Sequence, residues 1–337
     1  MNSKAFLLPA ALMIAGNSVA NSKGKKTDKR PNILVILADD LGYSDLGCYG
    51  SEIHTPNLDK LAQQGVRFNH FYNASRSCPT RASLLTGLYQ HQAGIGRMTF
   101  DDNLPGYRGT LSRNAVTIAE VLKESGYTTS MIGKWHVAET PLRKDQREWL
   151  AHHVYHDTYS DLCHYPVNRG FDSHYGTIYG VVDYFDPFSL VEGEVPVKEV
   201  PEGYYITQAL SDRAAEEVTE YAKDDKPFFM YLAYTAPHWP LHALPEDIEK
   251  YKDTYKVGWE AIRNARYERQ KQLGIFPGMD DFLSERQFKD RWEDNAHAEW
   301  DARAMAVHAA MIDRMDQGIG QVIDALEKTG QLDNTLI

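Results

Sequence analysis

Residues 32–38, NILVILA, form a continuous apolar run that stops at two adjacent carboxylates, Asp39 and Asp40. A short run of this kind, rich in branched aliphatic side chains, is the pattern of a strand buried on both faces, as in a parallel sheet covered by helices. Open α/β sheets bind ligands beyond the carboxyl ends of their strands, so the two acids are expected at a binding edge. A second run, 227–234 (PFFMYLAY), follows a helical pattern at 206–223. Between them, Thr55 and Pro56 read as the N-cap and first residue of a helix closed by Gly65. Residues 66–72 read as a strand, 79–88 and 115–125 as helices, and 127–132 as a strand. The alternation predicts an α/β fold, a layered sandwich with a mostly parallel central sheet and helices on both faces.

From 248 to 299 the pattern becomes charged, aromatic-studded helix, expected to form an insertion or lid over the sheet. An amphipathic helix follows at 302–330, with Met305, His308, Ile312, Met315 and Ile319 at core-facing spacing. Residues 334–337 read as the opening of one more strand, so the expectation is a domain whose C-terminal part is missing. At the other end, residues 1–20 read as a signal peptide. Lys4 supplies the basic start, 5–16 the apolar stretch and Ser18-Val19-Ala20 the cleavage site. Residues 21–30, with five Lys or Arg, read as a solvated tether. The protein is therefore expected to be exported, periplasmic or secreted, with its catalytic domain in 31–337.

Composition narrows the function classes. A formal charge of −11 argues against a nucleic-acid partner. No apolar run approaches the roughly 18 residues needed to span a bilayer. Three cysteines, Cys48, Cys78 and Cys163, are too few for a disulfide scaffold.

Four segments rich in hydrolytic residue types each follow a predicted strand: Asp39-Asp40, 75–87 (SRSCPTRASLLTG), 133–136 (GKWH) and 236–242 (APHWPLH). Singly, each has an ordinary reading: a pair of helix-capping acids, an amphipathic surface turn, a structural histidine. Jointly, at one sheet edge, they would surround a cavity with two acids, an Arg, a Lys and two His. Paired acids there suit a hard dication with oxygen ligands, Ca²⁺ or Mg²⁺, rather than zinc.

Asp39-Asp40-Leu41-Gly42-Tyr43, Ser77-Cys78-Pro79-Thr80-Arg81 with Leu84-Leu85-Thr86-Gly87, and Gly133-Lys134-Trp135-His136 together resemble the type I sulfatases, within the alkaline phosphatase-like superfamily, and residues 258–274 and 302–337 look most like the bacterial arylsulfatase branch of that family. The resemblance runs from about residue 31 to 337. The family pattern, Cys or Ser, any residue, Pro, any residue, Arg, puts the modified position at Ser77 and leaves Cys78 in the variable slot. The resemblance implies that Ser77 is oxidised to formylglycine, which hydrates to a geminal diol. A serine precursor points to a radical maturase and an anaerobic host. It also implies that Asp39, Asp40 and the Ser77-derived group bind Ca²⁺, with Mg²⁺ as the alternative. Arg81 would steady the diol, His136 would be its proton partner, and Lys134 and His238 would grip the sulfate oxygens. Pro79 is read as the first residue of a helix whose N-terminal dipole favours the developing negative charge. His242 is read as packing.

The expected activity is removal of sulfate from a sulfated carbohydrate or an aryl sulfate. A phosphoester or phosphonate hydrolase of the same superfamily is the near alternative, since tetrahedral oxyanions share such a cage. A glycan-binding module fits poorly, because no basic face is evident. An inactive N-terminal fragment is a third reading, expected to bind Ca²⁺ weakly and turn over poorly, because the family's second metal-ligand pair, Asp-Asn, would fall beyond residue 337. Aromatic and Arg side chains of 248–299 could clamp a substrate ring or pack on one another.

Overall fold

The computed structural model describes residues 30–139, 158–277, 283–284 and 291–337. The signal peptide expected at 1–20, and the tether apart from Arg30, lie outside the described residues. The strands are β1 (Asn32–Leu37), β2 (Thr128–Gly133), β3 (Ser173–Thr177), β4 (Leu190–Glu192), β5 (Val195–Pro196), β6 (Phe228–Ala233) and β7 (Thr335–Leu336). They form one sheet in the order β5-β4-β3-β2-β6-β1-β7. β3, β2, β6, β1 and β7 are parallel, and β4 and β5 form an antiparallel margin. The helices are α1 (Pro56–Gln64), α2 (Ser77–Thr86), α3 (Ile118–Glu124), α4 (Ile206–Tyr221), α5 (Pro245–Glu249), α6 (Trp259–Gln272) and α7 (Ala298–Lys328). None of them is long and apolar enough to cross a membrane.

β6 lies between β1 and β2 and every one of its residues is buried. Its side chains alternate between two cores. Phe228, Met230 and Leu232 join Ile206, Leu210 and Val218 of α4 and Met315, Ile319 and Leu326 of α7 on one face. Phe229, Tyr231 and Ala233 join Cys78, Ala82 and Leu85 of α2 and Ala119 of α3 on the other. The alanines of α7 at 302, 306, 309 and 310 are all buried, and their small size lets this long helix lie close to its neighbours. Burial of aromatic and aliphatic side chains of this size contributes roughly 1.5–3 kcal/mol each, which explains why both layers form around the same strand.

Three local expectations are corrected. Residues 66–72 form no strand: Val66, Phe68, Phe71 and Tyr72 are exposed, and the segment pairs with no strand among the described residues. High β-propensity forms a strand only where a neighbour accepts the backbone bonds. Thr55 holds the N-cap position of α1, with Pro56 first in the helix and Gly65 at its end as expected, but its side chain makes no capping bond. Its hydroxyl accepts from the Gly47 N–H and donates to Asp59. The free N–H groups of Asn57 and Leu58 are instead taken by the buried carboxylate of Asp316 on α7, at 3.2 and 2.8 Å. Finally, α2 begins at Ser77 with Arg76 as its N-cap, so Pro79 stands at the third position. Proline is accommodated there because the first turn has no intrahelical acceptor for its N–H groups. The short strands β3, β4 and β5 were not legible as strands in the sequence.

His174 in β3 is buried, and burial lowers its imidazole from 6.5 to about 4. The unfolded chain therefore takes up a proton before the folded one does. Stability is retained above pH 6.5 and falls as the pH drops from 6.5 towards 4, by about 3 kcal/mol for this residue. The expected outcome is a smaller fall in Tm over that interval for His174→Gln than for the parent protein, measured by thermal melts across the pH series.

Candidate active site

Three adjacent strands deliver the site. Two residues beyond the end of β1 stands Asp39, whose backbone N–H donates to the Ala236 carbonyl at 2.9 Å, which ties the segment after β1 to the segment after β6. Asp40, with φ of 61°, turns the next carboxylate the other way, out towards solvent. β2 ends at Gly133, where φ is 108° and a Cβ would lie 1.9 Å from the Ala233 carbonyl oxygen. Only glycine fits there, and this close approach lets Lys134 drop beneath the Asp39 carboxylate. The fourth contributor is α2, which buries Cys78, Ala82 and Leu85 at helical spacing and so aims Ser77 and Arg81, one turn apart, at the same place.

Ser77 Oγ is the meeting point. Arg81 Nε donates to it at 3.1 Å, His136 Nδ1 lies at 3.3 Å, and Oγ donates to Asp39 Oδ1 at 3.4 Å. Arg81 Nη2 also donates to Asp39 Oδ1 at 3.2 Å, and Arg81 Nη1 donates to the Lys134 carbonyl at 2.7 Å. Lys134 Nζ donates to Asp39 Oδ2. His238 Nε2 lies 3.4 Å from Asp40 Oδ2. The structure thus brings Asp39, Ser77, Arg81, Lys134 and His136 into one contact network, with Asp40 and His238 at its solvent side.

Asp39 is 3% exposed, Arg81 1% and Lys134 0%. Burial would raise the Asp39 carboxyl, but the charges of Arg81 and Lys134 outweigh it and hold the group below its ordinary range. Burial brings Lys134 below the usual lysine value against the opposing pull of Asp39. His136 is held well below 6.5, first by burial and then by the charges of Lys134 and Arg81. Its ring is therefore neutral near pH 7 and able to accept a proton. Burial pushes the Cys78 thiol up to about 11. Cys78 faces the core beside Met98, not the site, so it is no thiolate nucleophile.

Ser77, His136, Asp40 and His238 open onto a cavity of about 970 Å³ walled by Thr99, Phe100, Tyr179, Asp183, Phe188 and Trp239. A smaller recess of about 160 Å³ reaches Asp39 and Arg81. Lys134 lines neither and sits behind Asp39. His242 lies outside the cavity wall, half-buried against Tyr184 and Phe185 and 3.5 Å from Asp183. Described side chains of 248–299 do not line this cavity. Tyr255, Trp259, Tyr267 and Trp292 instead surround a separate space of about 560 Å³, with Trp259 edge-on to Trp292 at 4.8 Å. The ring-clamp alternative for that stretch gives way to packing within the helical segment.

Sequence reading missed two supporting residues. Tyr184 donates to the carbonyls of Thr235 and His238 at 2.7 and 2.8 Å and so fixes the His238 loop. Gly180 leaves room for the His136 ring, since a Cβ there would lie 2.0 Å from it. The Tyr-Gly pair at 179–180 carries no local signal of that contact. As a cation site, Asp39, Asp40 and Ser77 offer oxygen donors only, which suits a hard dication. The buried ammonium of Lys134 on Asp39 shows that this carboxylate is built to meet positive charge.

Removing one partner from a buried ion pair leaves the other charge uncompensated. Lys134→Met is expected to lower unfolding stability by about 3 kcal/mol, read from denaturant titration. An unchanged midpoint would mean that Arg81 alone satisfies Asp39.

Comparison with known proteins identifies the family of the chain. The family model for sulfatases matches residues 31–337. An arylsulfatase from Klebsiella aerogenes is 34% identical, with 100% of this chain and 70% of the relative covered. An uncharacterized sulfatase from Schizosaccharomyces pombe is 35% identical, covering 92% of this chain and 56% of the relative. An N-acetylglucosamine-6-O-sulfatase from Bacteroides thetaiotaomicron is 29% identical, covering 100% of this chain and 62% of the relative. Among solved structures, Ps i-CgsB bound to k-i-k-neocarrahexaose superimposes with a TM-score of 0.61 at 31% identity, over 91% of this chain and 57% of that one. The chain thus spans little more than half the length of several proteins it matches. With the family model matched from residue 31 to residue 337 and the Ser77–Arg81 signature at the rim of the sheet, the chain belongs to the sulfatase family.

Proposed function

We propose that this chain carries the nucleophile and oxyanion-binding part of a sulfuric ester hydrolase acting on a sulfated carbohydrate or an aryl sulfate. The observation that carries the proposal is Ser77 Oγ within hydrogen-bonding reach of Arg81, His136 and Asp39 at once. When formed and bound, formylglycine derived from Ser77 supplies a geminal-diol nucleophile, and a divalent cation supplies the Lewis acid that makes it more acidic.

The chain's own residues do the rest. Asp39 and Asp40 are the carboxylates to hold the cation, Ca²⁺ or Mg²⁺. Arg81, clamped between Asp39 and the Lys134 carbonyl, orients the side chain at position 77 through Nε. Neutral His136 is placed to take a proton from that side chain at Nδ1. His238, on the cavity wall, is the donor group for sulfate oxygens, and Lys134, expected to grip them too, instead acts from behind through its ion pair with Asp39. The N-terminus of α2 adds its dipole at the same point. A net charge of −11 repels a polyanion at a distance, so these local cations must do the capturing.

A sulfated sugar is the leading substrate class. Support comes from the N-acetylglucosamine-6-O-sulfatase among the relatives and from an aromatic-walled cavity with Trp239 largely exposed on it. A radical maturase as partner rests on serine, rather than cysteine, at position 77. Export rests on the leader pattern of residues 1–20.

Mass spectrometry of the peptide containing Ser77, after expression with a radical maturase, is expected to show the loss of two hydrogens at that residue. Ser77→Ala is expected to abolish both the mass change and turnover. The oxidised protein should prefer an aryl sulfate to the matching aryl phosphate. A large preference for phosphate would move the assignment to phosphoester hydrolysis.

A further inference from the structure

We propose that Asp161, Cys163 and His164 form a binding site for a borderline transition-metal dication of the zinc class. One donor atom from each of these side chains lies within 4.8 Å of the other two. The set of carboxylate oxygen, sulfur and imidazole nitrogen is the mixture that favours Zn²⁺ and its neighbours over Ca²⁺ or Mg²⁺. It shares no residue with the Asp39–Asp40 pair and differs from it in chemistry.

The frame is already set. The three residues lie on one tight turn, Leu162–His164, capped by Asp161. Asp161 Oδ1 accepts from the Cys163 N–H at 2.9 Å, and the Asp161 carbonyl accepts from the His164 N–H at 2.9 Å. Asn168 holds the Leu162 carbonyl at 2.8 Å, and Trp135 Nε1 holds the His164 carbonyl at 2.8 Å. Within this frame His164 Nδ1 is buried and has no hydrogen-bond partner. A buried nitrogen left unpaired is costly, and coordination through it would remove that cost. Asp161 is exposed and the other two are half-buried, so an ion has a way in.

Asp161 and, once deprotonated, Cys163 would supply the negative charge that a dication requires. On binding, the Cys163 S–H bond breaks, its electron pair goes to the metal and its proton to solvent.

The test uses the whole chain freed of metal by a chelator and titrated with Co²⁺, a spectroscopic stand-in for Zn²⁺. The expected result is one thiolate-to-cobalt charge-transfer absorption that saturates at one ion per chain. Zn²⁺ should displace it and excess Ca²⁺ should not. Cys163→Ser should remove the band and Cys48→Ser should retain it, with far-ultraviolet circular dichroism reporting that each variant is folded. Absence of the band in the parent, or its survival in Cys163→Ser, would overturn the proposal. Neither outcome bears on whether Ser77 is oxidised.

Discussion

A single carboxylate, Asp39, is buried between a guanidinium and an ammonium, and much of the architecture around it follows from that arrangement. Burying three charges is tolerable only when each is paired and hydrogen-bonded. Arg81 achieves this by spanning Asp39, Ser77 and the Lys134 carbonyl. Lys134 achieves it by sitting against Asp39 with its stem inside the protein. The cost of leaving any one unpaired holds the ends of β1, β2 and α2 in a fixed relation. That relation is also the one an oxyanion-binding site requires, because preorganised charges need no rearrangement when negative charge develops.

The sheet order makes this convergence possible. β1, β6 and β2 are neighbours and parallel, so their carboxyl ends open on one edge. The bond from Asp39 N–H to the Ala236 carbonyl and the contact of Gly133 with Ala233 lock those ends together. β6 is the common partner, and its burial on both faces anchors the edge in the two cores. Charges placed on such an edge lose little conformational freedom when they bind.

Local electrostatics then separate the roles of similar groups. Two adjacent acids differ completely in setting: Asp39 is enclosed by cations, whereas Asp40 is exposed and faces His238. Two adjacent residues of α2 differ likewise, since Ser77 meets the cavity while Cys78 is sealed in the core with its thiol protonated. Helical geometry produces this split, because neighbours in sequence point about 100° apart.

The apolar runs at 32–38 and 227–234, the paired acids and the Ser77–Arg81 spacing were legible in the sequence because strand burial and helical spacing are local properties. They determined a layered α/β fold and a candidate site at its strand ends. Other features depended on contacts between distant residues. Val66 to Tyr72 had strand composition but found no strand to pair with, and the capping of α1 passed from Thr55 to Asp316, 259 residues beyond Asn57. Lys134 could be read as a cation at the site, yet only packing placed it behind Asp39 and away from the cavity wall. Which residues share a neighbourhood is decided by the folded chain, because burial, desolvation and charge pairing act through space and leave no mark on local spacing.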